Sequence, residues 1–159
     1  MAKITALLHA HNGDARHLGR SLASLRVCDQ VLVINHDCAK EVQEIALQHG
    51  AVALEAIPGV SPGAYLVNAK HHWLLCLRPS EELSEPLAAA LQHWKDTDDH
   101  DDAKAFSVSL QEETETGWSP RPPETRLLNR KKINWIGEIP PTDPHAPHLA
   151  GDLLHFREK

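Results

Sequence analysis

Short apolar runs alternate with segments of helical periodicity along the first part of the chain. The mostly apolar run from Ile4 to Leu8 predicts a buried strand. Asp14 then offers an N-cap to a helix. After this cap, apolar residues recur at helical spacing at Ala15, Leu18, Leu22 and Leu25. The first predicted unit is therefore a strand followed by a helix.

The same order of strand and helix repeats further along. The run from Val31 to Ile34, within a strand predicted from Gln30 to Asn35, is apolar on both faces, as in the central strands of parallel sheets. The next predicted elements are a helix ended by Gly50, a strand from Ala51 to Ile57, a short helix from Ser61 to about His71, a strand from Trp73 to Leu77 and a helix opened by Ser84 and Pro86. This alternation predicts an α/β fold with a doubly wound, mostly parallel sheet and helices on both faces.

The last third of the chain has a different pattern that predicts more strands. Phe106, Val108 and Leu110 alternate with polar residues, as in a half-buried strand. Further strands are predicted at Thr125 to Asn129, at Ile133 to Ile139 after a Lys131-Lys132 turn, and at Gly151 to Phe156, with Pro-rich loops at Gly117 to Pro123 and Pro140 to Pro147. Because no boundary is visible, we predict a single domain over residues 1–159.

Composition and charge exclude several classes of partner. The net charge is -6, and the 16 basic residues are spread along the chain, so we expect no nucleic-acid partner. The early apolar run is too short for a signal peptide or a transmembrane segment, which favours a soluble, cytoplasmic protein. Cys28, Cys38 and Cys76 form no Cys-x-x-Cys pair, which favours free thiols in a reducing compartment.

The histidines and the acidic residues suggest metal binding, but their spacing does not support it. His9 and His11 share one face of a strand, and His145 and His148 lie in a Pro-rich loop, yet neither pair has a cysteine or carboxylate at a known zinc spacing. The acidic run from Asp96 to Asp102 lacks the glycine and terminal glutamate of an EF-hand and is interpreted as a solvated connection. We therefore predict no metal site and no bound cofactor.

Several segments occur in the order typical of one enzyme family. They are Ile4 to Asn12, Ser21-Leu22-Ala23-Ser24-Leu25, Val31 to Asn35, Leu77 to Leu83, Arg126 to Arg130, Trp135-Ile136-Gly137-Glu138-Ile139 and Gly151 to His155. In this order the chain resembles family-two glycosyltransferases of the GT-A fold, and among them the members of lipopolysaccharide biosynthesis. The resemblance implies a nucleotide-sugar or related glycan ligand and, in the family, Mg²⁺ or Mn²⁺.

The resemblance also implies where the ligand lies, because ligands of such folds bind outside the carboxyl ends of the parallel strands. The residues that it assigns to nucleotide binding are His11, Asn12, Asn35 and Asp37. The family's acidic metal motif corresponds to Arg78, Ser80 and Glu81, where a guanidinium would repel a divalent ion. Arg78 instead offers a charge that could bind diphosphate oxygens. His155 matches a family position in the last strand.

The family's catalytic base motif is also altered. Its His-Glu pair corresponds to Pro140 and Pro141, which cannot accept a proton, and leaves Glu138 as the nearby carboxylate, predicted on the same strand face as Pro140. Three hypotheses stay open. The domain binds a nucleotide sugar without metal-dependent transfer, or it catalyses metal-independent transfer with Arg78 and Glu138, or it is a non-catalytic module that binds a protein partner in glycan assembly.

Overall fold

The computed structural model describes residues 2–37, 39–97, 100 and 102–157. Its strands are β1 (Ile4–Ala10), β2 (Gln30–Asn35), β3 (Val52–Glu55), β4 (Trp73–Leu77), β5 (Glu81–Leu83), β6 (Ala105–Thr114), β7 (Gly117–Asn129) and β8 (His148–His155). Its helices are α1 (Ala15–Ala23), α2 (Lys40–Gln48) and α3 (Glu85–Asp96), with a 3₁₀ helix at Pro62–Asn68. These strands form one sheet in the order β3-β2-β1-β4-β7-β6-β8-β5.

The half of the sheet from β3 to β4 is parallel, as the sequence predicts. β1 is buried along its whole length and pairs in parallel with β2 on one side and with β4 on the other. The strand predicted from Trp73 to Leu77 coincides with β4, because five consecutive buried side chains suit a strand covered on both faces. The cap predicted at Ser84 is also present, since its Oγ accepts a hydrogen bond from the Leu87 N–H at 3.3 Å.

The half from β7 to β5 is mixed in direction. β7 runs antiparallel to both β4 and β6, β8 runs parallel to β6, and β5 runs antiparallel to β8. The short strand β5 was not predicted, because three residues are too few to show a period. The α/β prediction with a strand-rich last third is confirmed.

Two predictions for the last third are wrong. The segment from Gly117 to Pro123, predicted as a loop, belongs to β7. This part of β7 pairs with β6 on one edge and does not pair with β4 on the other. Proline has no N–H group, so the prolines remove no hydrogen bond between strands at the edge away from β6. The segment from Ile133 to Ile139, predicted as a strand, is irregular, because its apolar side chains pack against the sheet while the Ile136 carbonyl accepts a hydrogen bond from the Gly63 N–H.

Helical segments cover both faces of the sheet, but unequally. The three α-helices pack on one face through side chains such as Leu18, Val42 and Leu87. The other face is covered by the 3₁₀ helix, through Tyr65 and Leu66, and by the irregular segment that contains Trp135. This irregular segment positions Glu138 beside the carboxyl end of β1.

The sequence also gives expectations for the cysteines, the acidic run and membrane-spanning helices. Cys28 and Cys76 are free thiols, and burial raises the pKa of each to about 12. Cys38 and much of the acidic run, at residues 98, 99 and 101, lie outside the described residues. Within the described part of the chain, no helix is long and apolar enough to cross a membrane.

Candidate functional site

A crevice of about 340 Å³ opens where β1 and β4 end. β2 pairs with one edge of β1, and β4 pairs with the other edge. The strand order therefore reverses between β1 and β4. Residues from both strand ends and from the C-terminal part of the chain line this crevice: His9, His11, Asp14, Leu77, Arg78, Pro79, Ser80, Glu138, Ile139 and His155.

The turn after β1 holds His11 at the mouth of the crevice. The Asp14 carboxylate accepts a hydrogen bond from the His11 N–H at 2.6 Å, and the Asp14 N–H donates to the His11 carbonyl at 3.0 Å. The His11 Nε2 in turn lies 2.6 Å from the Glu138 Oε2. Both side chains are partly exposed, so this pair can meet a ligand that enters from solvent.

Two more histidines lie behind this pair. His9 is 3% exposed, and its Nδ1 lies 2.8 Å from the Nε2 of His36, which follows β2. The ring of His36 also stacks on that of His11, with 4.3 Å between the ring centroids. Burial lowers the pKa of His9 from 6.5 to about 4; the Glu138 carboxylate opposes this shift, whereas His36 and His11 add to it. Burial also lowers the pKa of His36. The paired histidines His9 and His36 are therefore uncharged at neutral pH.

The other wall of the crevice is fixed by an ionic network after β4. The fully buried Arg126 donates to both Glu81 oxygens, at 2.6 and 2.8 Å, and also to Glu124 at 2.9 Å. Arg78 adds contacts of 3.2 Å to Glu81 and 3.5 Å to Glu124. Burial alone would raise the pKa of Glu81, but hydrogen bonds and charge from Arg126, with a smaller effect of Arg78, hold it below its usual value. Glu81 is therefore a structural anion inside the fold.

The residues after β4 do not fit a divalent metal ion of the kind that the family resemblance implies. Such an ion needs carboxylate oxygens that face the ligand. The residues that the sequence resemblance assigns to the acidic motif include Arg78 and Ser80, which offer no carboxylate. The side chain of Glu81 is fully buried, with both oxygens held by Arg126. Mg²⁺ or Mn²⁺ would meet a guanidinium in this place.

The structure brings five of the predicted site residues together and separates the others. His11, Arg78, Ser80, Glu138 and His155 line the crevice. The structure places the remaining four elsewhere, as follows. Asn35 is buried and bonds to the backbone of Ala39 through both ends of its amide, Glu81 is buried, Asp37 is exposed outside the crevice, and Asn12 lines a neighbouring crevice.

This neighbouring crevice, also of about 340 Å³, adjoins the first at His11. It lies between the turn after β1 and the beginning of α2. Its lining includes Asn12, Arg16 and Lys40. His11 is thus the residue that the two crevices share.

The sequence pattern gave His9 only as half of a His9–His11 pair without metal-site spacing, and it did not indicate His36 and Arg126 as parts of this region. His36 directly follows a predicted strand, so its place at the carboxyl edge could have been inferred from the sequence. Arg126 begins an apolar run that continues through Leu127 and Leu128, and a charge at the start of a buried strand signals a buried partner. Nothing in the sequence pairs Glu138 with His11, because 127 positions separate them.

Comparison with known proteins supports the fold. No protein-family model and no curated protein matches the sequence. Mannosyl-3-phosphoglycerate synthase from Rubrobacter xylanophilus is 15% identical with a TM-score of 0.54, over 72% of this chain and 42% of that one. A Mycobacterium tuberculosis protein solved in complex with manganese is 14% identical with a TM-score of 0.53, over 99% of this chain and 90% of that one.

A third structure has a nucleotide bound. It is glucosyl-3-phosphoglycerate synthase from Mycobacterium tuberculosis, in complex with Mn²⁺, uridine diphosphate and glucosyl-3-phosphoglycerate; it is 11% identical, with a TM-score of 0.50, over 69% of this chain and 44% of that one. This chain spans less than half the length of the two synthases. At such identities the likeness concerns the fold, and the chain has a GT-A-like α/β fold.

Proposed function

We propose that this domain binds a nucleoside diphosphate sugar in the crevice between the ends of β1 and β4. One observation carries the proposal: the crevice lies where the strand order reverses, and open α/β sheets bind their ligands at this point. Its volume of about 340 Å³ is within the range of small-molecule sites. The GT-A-like fold supports a ligand of this class.

The two adjoining crevices suggest how such a ligand would lie. The crevice of Asn12 and Lys40 would accept the nucleoside, and the crevice of Arg78 would accept the diphosphate and the sugar. A guanidinium carries five N–H donors, so Arg78 retains donors beyond those that contact Glu81 and Glu124. Its side chain is 41% exposed and can reach a phosphate oxygen. In this arrangement Arg78 supplies positive charge where the family uses a metal ion.

A second candidate function is metal-independent glycosyl transfer, and it is favoured because Glu138 and Arg78 line the same crevice. The acceptor hydroxyl would attack the anomeric carbon and give its proton to Glu138. The bond between that carbon and the diphosphate oxygen would break, and its electron pair would leave with the nucleoside diphosphate. Arg78 would stabilise the charge that develops on this leaving group.

A thermal-shift screen tests the proposed binding. The candidate ligands are the uridine, guanosine, cytidine and thymidine diphosphates and their sugars, each with Mg²⁺ and with chelator. A ligand at about 100 times its Kd adds roughly 2.7 kcal/mol to the free energy of unfolding, which raises the Tm by about 5–10 °C. We expect one nucleotide to give such a shift with chelator present, because no carboxylate faces the ligand after β4.

The variant Arg78→Ala identifies the group that holds the diphosphate. It should weaken binding by about 10- to 100-fold, as expected for a lost charge-assisted hydrogen bond. Arg121→Ala is the matched control, since Arg121 is also exposed and also paired with a glutamate, but lies outside the crevice. Equal affinity of the Arg78 and Arg121 variants, or no Tm shift with any nucleotide, would count against the proposal.

A further inference from the structure

We propose that His9, His36 and Glu138 bind one divalent transition-metal ion. One ring nitrogen of each histidine and one carboxylate oxygen of Glu138 lie within 4.8 Å of one another. The Nδ1 of His9 and the Nε2 of His36 are 2.8 Å apart and share a hydrogen bond. An ion would take the place of the shared proton, which would move to the other nitrogen of its ring. The separation is close to the roughly 3 Å between adjacent ligands at metal–nitrogen distances of about 2.1 Å. The three residues come from the ends of β1 and β2 and from the irregular segment after β7.

The imidazole of His9 is incompletely hydrogen-bonded and is accessible from the crevice. His9 is almost fully buried, yet its Nε2 has no hydrogen-bond partner among the residues that the structure describes. This nitrogen lies on the opposite side of the ring from the Nδ1 that faces His36, so it would carry the ring proton when Nδ1 binds an ion. His9 lines the crevice, so an ion that enters the crevice can reach this imidazole.

Neighbouring groups contact two of the three proposed ligands and fix the strand ends that carry the histidines. The His36 N–H donates to the Ala10 carbonyl at 2.9 Å, which ties the end of β2 to the end of β1. His11 contacts two of the proposed ligands: its Nε2 lies 2.6 Å from Glu138, and its ring stacks on His36. Hydrogen bonds of this kind orient metal ligands in known sites, and their loss lowers metal affinity.

The ligand set selects the class of ion. Two imidazoles and one carboxylate suit Zn²⁺, Co²⁺, Ni²⁺ or Fe²⁺, with water in the remaining positions, whereas Mg²⁺ prefers oxygen ligands. This site differs from the position after β4, where Arg78 and Ser80 offer no acidic ligand. The inference does not depend on nucleotide binding, because it is argued from the positions of the three side chains alone.

Glu138 cannot bind a metal ion and accept a proton at the same time. A carboxylate that coordinates an ion cannot also accept the proton of an acceptor hydroxyl. If the crevice catalyses transfer, a bound ion would therefore inhibit it, unless it supplies another base through bound water. The metal site itself is tested with the metal alone.

Calorimetric titration of the full chain with Zn²⁺ and with Mg²⁺, together with absorption spectroscopy of added Co²⁺, tests the site. We expect one Zn²⁺ per chain, visible absorption bands from bound Co²⁺ and no comparable binding of Mg²⁺. His36→Gln and Glu138→Gln should weaken Zn²⁺ binding by about 100-fold or more, and His11→Gln by about 10-fold. These three residues are at least partly exposed, so the variants should fold, which circular dichroism verifies.

The other histidines provide the matched control, because an exposed pair can also bind transition metals. His145→Gln combined with His148→Gln removes the exposed pair at the beginning of β8 and in the loop before it, and should leave the Zn²⁺ affinity unchanged. Two results would overturn the proposal: no stoichiometric binding of Zn²⁺ or Co²⁺ by the unmodified chain, or binding that survives in the folded His36 and Glu138 variants.

Discussion

Arg126 and Glu81 are fully buried, and each keeps its charge because the other lies within hydrogen-bond distance. The pair connects the residues after β4 to β7, and Arg126 also donates to the Cys76 carbonyl at 3.0 Å. Removing one partner of such a pair is strongly destabilising, since the other charge stays buried without compensation. The pair therefore fixes the backbone that presents Arg78 and Ser80 to the crevice.

We expect Glu81→Gln to lower the free energy of unfolding by about 3–5 kcal/mol, because the neutral amide leaves the buried Arg126 charge with only the partly exposed Glu124 as its counter-ion. Glu112→Gln is the matched control: Glu112 pairs with the exposed Arg121 at 2.9 Å, and its loss should cost about 0–1 kcal/mol. Urea denaturation at neutral pH measures both. Similar losses for the two variants would show that the buried pair contributes no more than the surface pair.

The pH dependence of the unfolding free energy provides a second test of Glu81→Gln. The pKa of Glu81 is held below its usual 4.5, so its contribution is complete above pH 4.5 and is lost as the pH falls through the lower, folded-state value. The difference in unfolding free energy between the unmodified chain and Glu81→Gln should therefore narrow below about pH 4.5. A difference that stays constant down to pH 2 would contradict this role of Glu81.

The role of Glu81 could not be predicted from its local sequence. The sequence places it directly after a buried strand, where an acidic residue is expected to face a ligand. Its partner Arg126 lies 45 positions later, on an antiparallel strand whose register the sequence does not reveal. His36 and Asn35 illustrate the same limit. His36 contacts His9 and His11 beside the crevice, whereas the adjacent Asn35 bonds to the backbone of Ala39.

At the scale of elements, the buried strands are easier to predict than the irregular segments. β1, β2 and β4 consist of mostly apolar residues that are buried on both faces, so hydrophobicity alone locates them. The segment from Ile133 to Ile139 has the alternation of apolar and polar residues that is typical of a strand. The alternation arises because some of its side chains pack on the face of the sheet. Backbone contacts with the 3₁₀ helix, not strand pairing, hold this segment and position Glu138.

Gly63 makes this contact possible, and Gly63→Ala should disrupt it. A Cβ at this position would collide with the backbone carbonyl of Trp135, so the segment that holds Glu138 would have to move. We expect a loss of about 1–3 kcal/mol in the free energy of unfolding, measured by thermal or urea denaturation.

Gly19→Ala is the control for this substitution. Gly19 lies inside α1, and a Cβ there would be 3.7 Å from the nearest atom, an ordinary contact. This variant should gain about 0.5–1 kcal/mol, because alanine favours the helix more than glycine does. A Gly63 variant as stable as the Gly19 variant would show that the segment adapts without cost.

At the scale of the whole molecule, the strand order decides where the crevice lies. The sequence predicts the α/β class and a mostly parallel sheet, from alternating units and from the family resemblance. It does not predict how β7, β6, β8 and β5 extend the sheet, because their pairing depends on contacts between distant segments. Those strands bring His155 to the same crevice as His11 and Arg78.

The prediction of a protein partner stays a prediction at this scale. Apolar side chains at Ile57, Val67 and Ile136 are 61%, 82% and 75% exposed. They come from the segment around the 3₁₀ helix and from the irregular segment that contacts it through Gly63. Such side chains can contribute to an interface if they form a contiguous patch.

The central claim is that the crevice between β1 and β4 binds a nucleoside diphosphate sugar. An NMR titration of the ¹⁵N-labelled chain, with the nucleotide sugar that raises the Tm most, measures where the ligand binds. We predict shift changes at residues 9–16, 39–42, 77–80 and 137–139, and none around the separate crevice that Leu22, Asp29 and His49 line. Changes centred on that other crevice, or none at all at saturating ligand, would contradict the claim.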